Sequence, residues 1–492
     1  MLSRLVVKKP FVRSVCAHSS SPYQFNRHHH HHHTLDRFLE TGIILDQYII
    51  YSSFIESKRV AELTTLENGM KVVSLSGGFT GPAAALGIFV NTGSRFESQT
   101  NAGSNQVLKN LAFQSNESKI YLQVQREIAE IGSTAFAQIS RDNLLISSEV
   151  LPPFSKQMLT SLSNITNPKL AYHEVRDCTE QTIEESESLE HCPVTQVFES
   201  LHKQAYRGRT LGRPLVAPVC NLGSLATEQV VDVANSAFTP SNLTLVGVGL
   251  NHKDLVKEAQ QLKFGKTNGG AANKGESAKY VGGDEITYVT GNNHIVLAFE
   301  GVSYKNTKDV AASAVLKAIL GGGSIQPKTA PGNGKTSRLF TLLEKNQSSL
   351  VKTDSININY QDTGLFGVYA ESTETSQVGQ VIANLANEFA TVAKSAVSAQ
   401  ELDRAKNIAK TTVLEQTDSR SGALEFVGKQ ALYNNAKVLT PEEFVQEINS
   451  VTAEDIKRVA SKMLQSRPTL IVRGNIQDVP TLDQVQSLTK FF

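Results

Sequence analysis

Two hydrophobic periodicities alternate along this chain. Residues 84–90 (AALGIFV) and 295–299 (IVLAF) are short, unbroken apolar runs, the pattern of strands buried on both faces. Each precedes a segment whose apolar residues recur at helical spacing, over 103–115 and over 307–320. Residues 136–149 and 355–370 return to strand patterning with polar turns, and long helical patterns then run through 174–205 and 399–433. The same order of elements therefore occurs twice.

The ends of the two halves make the repeat explicit. Residues 225–250 read LATEQVVDVANSAFTPSNLTLVGVGL and residues 451–474 read VTAEDIKRVASKMLQSRPTLIVRG. In both, a Thr with an acidic neighbour opens a helical pattern, a Pro-containing turn follows, and an apolar strand ends in Gly. Glu228 and Glu454 differ by 454 − 228 = 226, the same offset that separates Lys203-Gln204-Ala205 from Lys429-Gln430-Ala431. A constant offset of that size points to duplication of a whole domain. The expected class is α+β: two homologous domains from an internal duplication, each a mostly antiparallel sheet with helices packed on one face. The expected boundaries are a leader at 1–50, a first domain at 51–266, a linker at 267–277 (TNGGAANKGES, no apolar residue but alanine) and a second domain at 278–492.

Charge changes this picture at one end only. The 492 residues carry 48 Lys+Arg and 47 Asp+Glu, a net charge of +1 that excludes a strongly basic nucleic-acid binder. The first acidic residue is Asp36; before it stand Arg4, Lys8, Lys9, Arg13 and Arg27 among serines and apolar residues. This basic, acid-free composition reads as a mitochondrial transit peptide, and Lys8-Lys9-Pro10 interrupts the apolar core a secretory signal needs. Removing residues 1–33 takes five basic charges and leaves 1 − 5 = −4. The tract His28–His33 reads as a native low-complexity run or an affinity tag ahead of a metal site. No apolar run is long enough to span a bilayer, and the four cysteines form no C-x-x-C pair, so neither a zinc ribbon nor a haem or iron–sulfur attachment is expected. No cofactor is expected.

Residues 103–116, GSNQVLKNLAFQSN, carry the candidate chemistry. With GIFVNTGSRFE at 87–97 and LENGMKVV at 66–73, this segment resembles the signature region of the mitochondrial processing peptidase and complex III core protein family, inverted zinc peptidases bearing H-x-x-E-H on a helix. The resemblance covers nearly all of the chain after residue 60, including the duplication. In that motif two imidazoles at i and i+4 bind Zn²⁺ and a glutamate activates water. Here the three positions are Gln106, Lys109 and Asn110. Amides are poor zinc ligands, and a lysine cannot act as the base while charged. Glu185, in TIEESESLE, is the leftover downstream carboxylate that the resemblance implies. Glu190-His191 ends like the motif, but Glu187 stands at the first histidine place, which reads as a solvated face. The resemblance implies no catalytic residue and no metal.

Two further segments invite function. Residues 321–339, GGGSIQPKTAPGNGKTSRL, end in Gly334-Lys335-Thr336, but Thr329 stands where a phosphate-binding loop needs Gly. The segment resembles the substrate-gripping glycine loop of the processing peptidase's non-catalytic subunit, with Gly321, Gly322, Gly323, Gly332 and Gly334 as candidate peptide-binding positions; an ordinary surface loop is the other reading. In YRGRTLGRPL, 206–215, three arginines suit an acidic or phosphate partner, but a solvated turn is the preferred reading, because the segment resembles the family's own L-G-R-P turn, which explains it without a ligand.

Two branches of the family lack the motif. AKYVGGDE (278–285), NYQDTGLFGVYAES (359–372), LDRAKNIAKTTVL (402–414), FVGKQAL (426–432) and the loss of all three motif positions resemble core protein 2 of ubiquinol–cytochrome c reductase. EDIKRVASKML (454–464) and APGNG (330–334) resemble the processing peptidase α-subunit instead. The core reading is preferred and the α-subunit is the alternative. The first implies an assembly role in complex III on the matrix side of the inner membrane, with core protein 1, cytochrome b, cytochrome c1 and the iron–sulfur protein as partners. The second implies presequence binding beside a catalytic β-subunit. The core reading also implies that apolar sheet and helix faces bury against core protein 1; no nucleic acid and no membrane span of the chain's own are expected.

Overall fold

A computed structural model describes residues 4–8, 58–78, 81–131, 134–266, 272–324 and 337–489. The histidine tract, Gly332, Gly334 and residues 267–271 of the expected linker lie outside the described residues. The first half runs β1 (Arg4–Lys8), β2 (Val60–Thr65), β3 (Lys71–Ser76), β4 (Ala84–Val90), α1 (Ser104–Leu111), α2 (Tyr121–Ile131), β5 (Thr134–Ser140), β6 (Leu144–Val150), α3 (Ser155–Ile165), α4 (Tyr172–Glu190), α5 (Pro193–Ala205), α6 (Val219–Gly223), α7 (Thr227–Ala237), β7 (Leu243–Val248) and α8 (His252–Gln260). The second runs β8 (Gly283–Tyr288), β9 (Asn293–Glu300), α9 (Thr307–Leu320), β10 (Gly322–Ser324), α10 (Arg338–Lys345), β11 (Leu350–Asn359), β12 (Gly364–Ser372), α11 (Val378–Lys394), α12 (Ala399–Asp418), α13 (Arg420–Leu432), α14 (Pro441–Asn449), α15 (Ala453–Leu464), β13 (Thr469–Gly474) and α16 (Leu482–Thr489).

The sheets repeat one topology. The first has order β1-β5-β6-β4-β7-β3-β2 and the second β10-β11-β12-β9-β13-β8. Every pair is antiparallel except β3–β7 and β8–β13, where a long connection returns the chain beside its first strand. β1 falls within the segment whose composition reads as a leader. Its backbone pairs antiparallel with β5, Arg4 opposite Ser140 through Lys8 opposite Phe136, at the edge that β10 takes in the second sheet.

Three long patterns are interrupted where local chemistry demands it. The 174–205 pattern breaks at 191–192, because Pro193 has no N–H to continue a helix and opens α5 at its first position. The 399–433 pattern breaks at Ser419, whose hydroxyl accepts from Gly422 N and caps α13. The 136–149 pattern folds back at 141–143 into the β5–β6 hairpin. The two Thr-initiated helices also differ. Thr452 and Asp455 form a reciprocal capping box on α15, whereas α7 is capped at Ala226, whose N–H donates to Gln229 Oε1 at 2.8 Å.

Each half's own helices cover one face of its sheet. Leu108, Phe113, Leu159 and Leu162 pack on Val72, Leu86, Ile88 and Leu245 in the first half. The other face of each sheet is covered by a helix from the opposite half. α13 lays Ala423, Leu424 and Val427 onto Val73, Leu75, Phe89 and Val246 of the first sheet. α5 lays Val197 and Leu201 onto Val296, Ala298, Leu365 and Ile471 of the second. These are the helices whose C-terminal residues share the 226 offset, so duplicated helices are exchanged reciprocally. The expectation that apolar sheet faces await a partner subunit is corrected here, since those faces are buried inside the chain. A fully buried leucine contributes about 1.5–3 kcal/mol relative to exposure, so the exchange couples the halves strongly. A Cβ on Gly428 would sit 2.3 Å from the Phe89 ring, which fixes how closely α13 approaches β4.

Polar contacts cross the same seam. The Arg95 guanidinium donates to both carboxylate oxygens of Asp362, at 3.2 and 2.9 Å. Tyr433 donates to Asp142 at 2.6 Å, and the His202 ring meets Tyr360 Oη at 2.6 Å.

Candidate functional site

The degenerate motif lies on α1, all eight residues of which are buried. Its N-terminus is held by a buried carboxylate. Glu97 Oε1 accepts from Gly103 N at 3.0 Å, and Oε2 accepts from Asn105 N at 2.9 Å and Asn105 Nδ2 at 2.7 Å. A negative group at this end complements the helix dipole and satisfies otherwise orphaned N–H groups. Burial nevertheless raises the Glu97 carboxyl above its usual range, against those hydrogen bonds. Gly103 has φ +95, and a Cβ there would meet Leu222 at 2.4 Å, so the entry to α1 requires glycine.

Gln106, Lys109 and Asn110, at i, i+3 and i+4, all face α4. The Gln106 amide donates to Ser186 Oγ at 3.4 Å and accepts from Ala217 N at 2.8 Å. Lys109 Nζ donates to Glu185 Oε2 at 2.9 Å. Asn110 Nδ2 donates to Thr182 Oγ1 at 2.8 Å. Residues 182, 185 and 186 are also spaced i, i+3, i+4, so two helix faces are joined by one ion pair and two neutral hydrogen bonds. The side chains of Lys109 and Glu185 are 1% and 9% exposed. Burial lowers the Lys109 pKa and the Glu185 carboxylate opposes that without cancelling it.

This donor set does not fit zinc. A metal site on these helices needs imidazole or carboxylate lone pairs converging on one point. The Gln106 carbonyl is already spent on a backbone N–H, and the Glu185 oxygen is spent on an ammonium that occupies the position of the general base. Glu185 therefore meets the Lys109 position, while Ser186 faces the first ligand position. Among the described residues no cluster of three His, Cys, Asp or Glu side chains could hold a metal ion. Glu187, Glu190 and His191 are all exposed, in keeping with a solvated helix face.

The glycine run has a packing explanation that composition hid. A Cβ on Gly321 would lie 2.2 Å from Ser337 Cβ, one on Gly322 2.6 Å from Thr353 O, and one on Gly323 2.7 Å from the Phe340 ring. Gly322 and Gly323 begin an edge strand paired with β11. These three positions are glycine because the chain passes too close to its neighbours for a side chain.

Sequence reading missed Thr182, Ser186 and Glu97. The first two carry no signal of their own in a polar helix, and only pairing with α1 distinguishes them. Glu97 had a usable signal, an acidic residue six positions before the glycine that opens a helix.

Residues 72–219 match the family model described as insulinase (peptidase family M16), and residues 224–409 match the one described as peptidase M16 inactive domain. The chain is 54% identical over 439 residues to the mitochondrial-processing peptidase subunit alpha-2 of Dictyostelium discoideum, covering 89% of this chain and 97% of the relative. It is 30% identical to the human cytochrome b-c1 complex subunit 2, over 86% of this chain and 92% of the relative. Among solved structures, a chain of complex III2 from Candida albicans superposes with a TM-score of 0.73 at 17% identity, covering 87% of this chain and 99% of that one, a likeness of fold alone. The order of preference read from the sequence changes accordingly: the relative at 54% bears the α-subunit name, so the reading held as the alternative now stands first.

Proposed function

The chain belongs to the peptidase M16 family, and on that premise we propose that it is a non-catalytic α-type subunit of a mitochondrial processing peptidase, binding presequences for cleavage by a β-type partner. One observation carries the reading: the Lys109–Glu185 ion pair stands where the catalytic base and its metal would be, in a helix otherwise built as the family's motif helix. The 54% identity along almost the full length of an α-subunit supports the choice of subunit. The loop that opens at Gly321–Gly323 is the candidate peptide grip, with Gly321, Gly322, Gly323, Gly332 and Gly334 as its candidate positions. Mitochondrial import through the basic leader and a matrix-side location belong to the same proposal. Among the described residues no helix is long and apolar enough to cross a membrane.

The second reading, core protein 2 of complex III, is favoured by the 30% identity over 92% of the human subunit and by loss of all three motif positions. In that reading the partners are core protein 1, cytochrome b, cytochrome c1 and the iron–sulfur protein. Native electrophoresis of mitochondrial extract separates the two. Recovery in a soluble heterodimer with presequence-cleaving activity supports the α-subunit. Co-migration with cytochrome b, and none in the soluble heterodimer, rejects it for the core reading.

A further inference from the structure

A cavity of about 410 Å³ opens at the seam between the halves, between the turn that ends α5 and the segment that leads into β8. Its wall carries Arg207 and Arg209 from the first half and Lys279 from the second, against a single carboxylate, Glu276. All three cations are exposed, and among the described residues none of them forms an ion pair. Nearby basic groups are committed: Lys203 reaches Glu285 at 3.4 Å and Arg95 is bidentate on Asp362.

The backbone of this wall is strained at Arg207 and Thr210. Gly208 N donates to Lys203 O at 2.8 Å, closing α5 with Arg207 in the left-handed region at φ 56, a place usually given to glycine. Thr210, a β-branched residue, follows at φ 53. Such conformations persist at non-glycine residues only where the surroundings over-determine them, and they gather at binding sites. Both lips are pinned. Val281 N donates to Ala205 O at 2.7 Å, Ala278 N donates to Asp362 Oδ2 at 2.7 Å, and Tyr206 Oη donates to Gly364 O at 3.3 Å. The cavity is thus a preorganised concavity with a surplus of unpaired positive charge.

We propose that this cavity binds a phosphate-bearing group, held by Arg207, Arg209 and Lys279. Guanidinium forks suit phosphate oxygens. A concavity suits a compact group better than the broad face of an acidic partner protein. The volume exceeds one phosphate ion, so the group is a small phosphate ester or the headgroup of an anionic lipid. The site is independent of the subunit assignment.

Isothermal titration of the full chain with inorganic phosphate, and flotation with phosphatidylcholine vesicles with and without phosphatidylglycerol, test it. Binding in either arm that falls about tenfold or more in Arg207→Gln/Arg209→Gln and in Lys279→Gln supports the site, and the arm that binds identifies the source. Glu276→Gln removes the opposing charge and tightens binding. Lys279→Gln is the control for folding, because it lies off the end of α5. If the arginines only stabilise that helix end, their variant melts earlier while neither probe binds, and the proposal fails. It fails equally if both probes bind the wild type and variants alike.

Discussion

Lys109 and Glu185 face each other at 2.9 Å where the buried helix α1 meets α4, an ammonium and a carboxylate joining the elements that a metal joins in an active inverted zinc peptidase. The pair is buried, so removing one member leaves an uncompensated charge. Lys109→Met is expected to destabilise the chain by about 3–5 kcal/mol, while Lys109→Met with Glu185→Leu recovers most of the loss. Urea unfolding of the single and double variants gives the coupling. Additive losses would contradict it.

Restoring the family's three residues is not expected to restore a metal site. Ser186, not Glu185, faces the first ligand position, so Gln106→His with Lys109→Glu and Asn110→His lacks a correctly aimed third ligand. Adding Ser186→Glu is expected to produce stoichiometric zinc binding, measured by metal content after dialysis. Tight zinc binding by the triple variant alone would show that Glu185 can swing into the site.

The reciprocal helix exchange predicts one cooperative unit. Leu424→Ala lies in the second half but is fully buried against the first sheet, with its methyls 3.1 Å from where a Gly87 Cβ would stand. It is expected to cost about 2–5 kcal/mol and to raise hydrogen exchange in β3, β4 and β7. Exchange rising only in the second half would contradict the coupling.

His202 gives the seam a pH dependence. Burial, with Arg141 nearby, holds the ring well below its usual 6.5, so it stays neutral in the folded chain while the unfolded chain takes up a proton. Its contribution is complete above pH 6.5 and is lost as pH falls below that value, at up to about 1.4 kcal/mol per pH unit. His202→Gln is expected to flatten the stability profile in that window, measured by denaturation at successive pH values. An unchanged slope would place the dependence elsewhere.

Much of this was legible because hydrophobic period is set locally. The strands at 84–90 and 295–299, the helices after them and the 226-residue offset are all visible in the chain. The exchange of α5 and α13 was not, because Leu201 and Leu424 look like any core leucine and nothing local says which sheet they cover. Gln106, Lys109 and Asn110 were found through the segment's resemblance to the family motif, and their partners Thr182 and Ser186 were not, since polar residues in a polar helix acquire meaning only across the gap. The three glycines at 321–323 read in the sequence only as candidate peptide-binding positions or surface loop, and the close approach of Ser337, Thr353 and Phe340 was not visible there.

The most direct test of the central claim is zinc content and presequence cleavage by the purified chain, alone and mixed with a β-type partner. The account predicts no bound zinc and no cleavage for the chain alone, and cleavage once the partner is added. One zinc per chain with cleavage in its absence, both lost on substitution of Gln106 or Asn110, would contradict it.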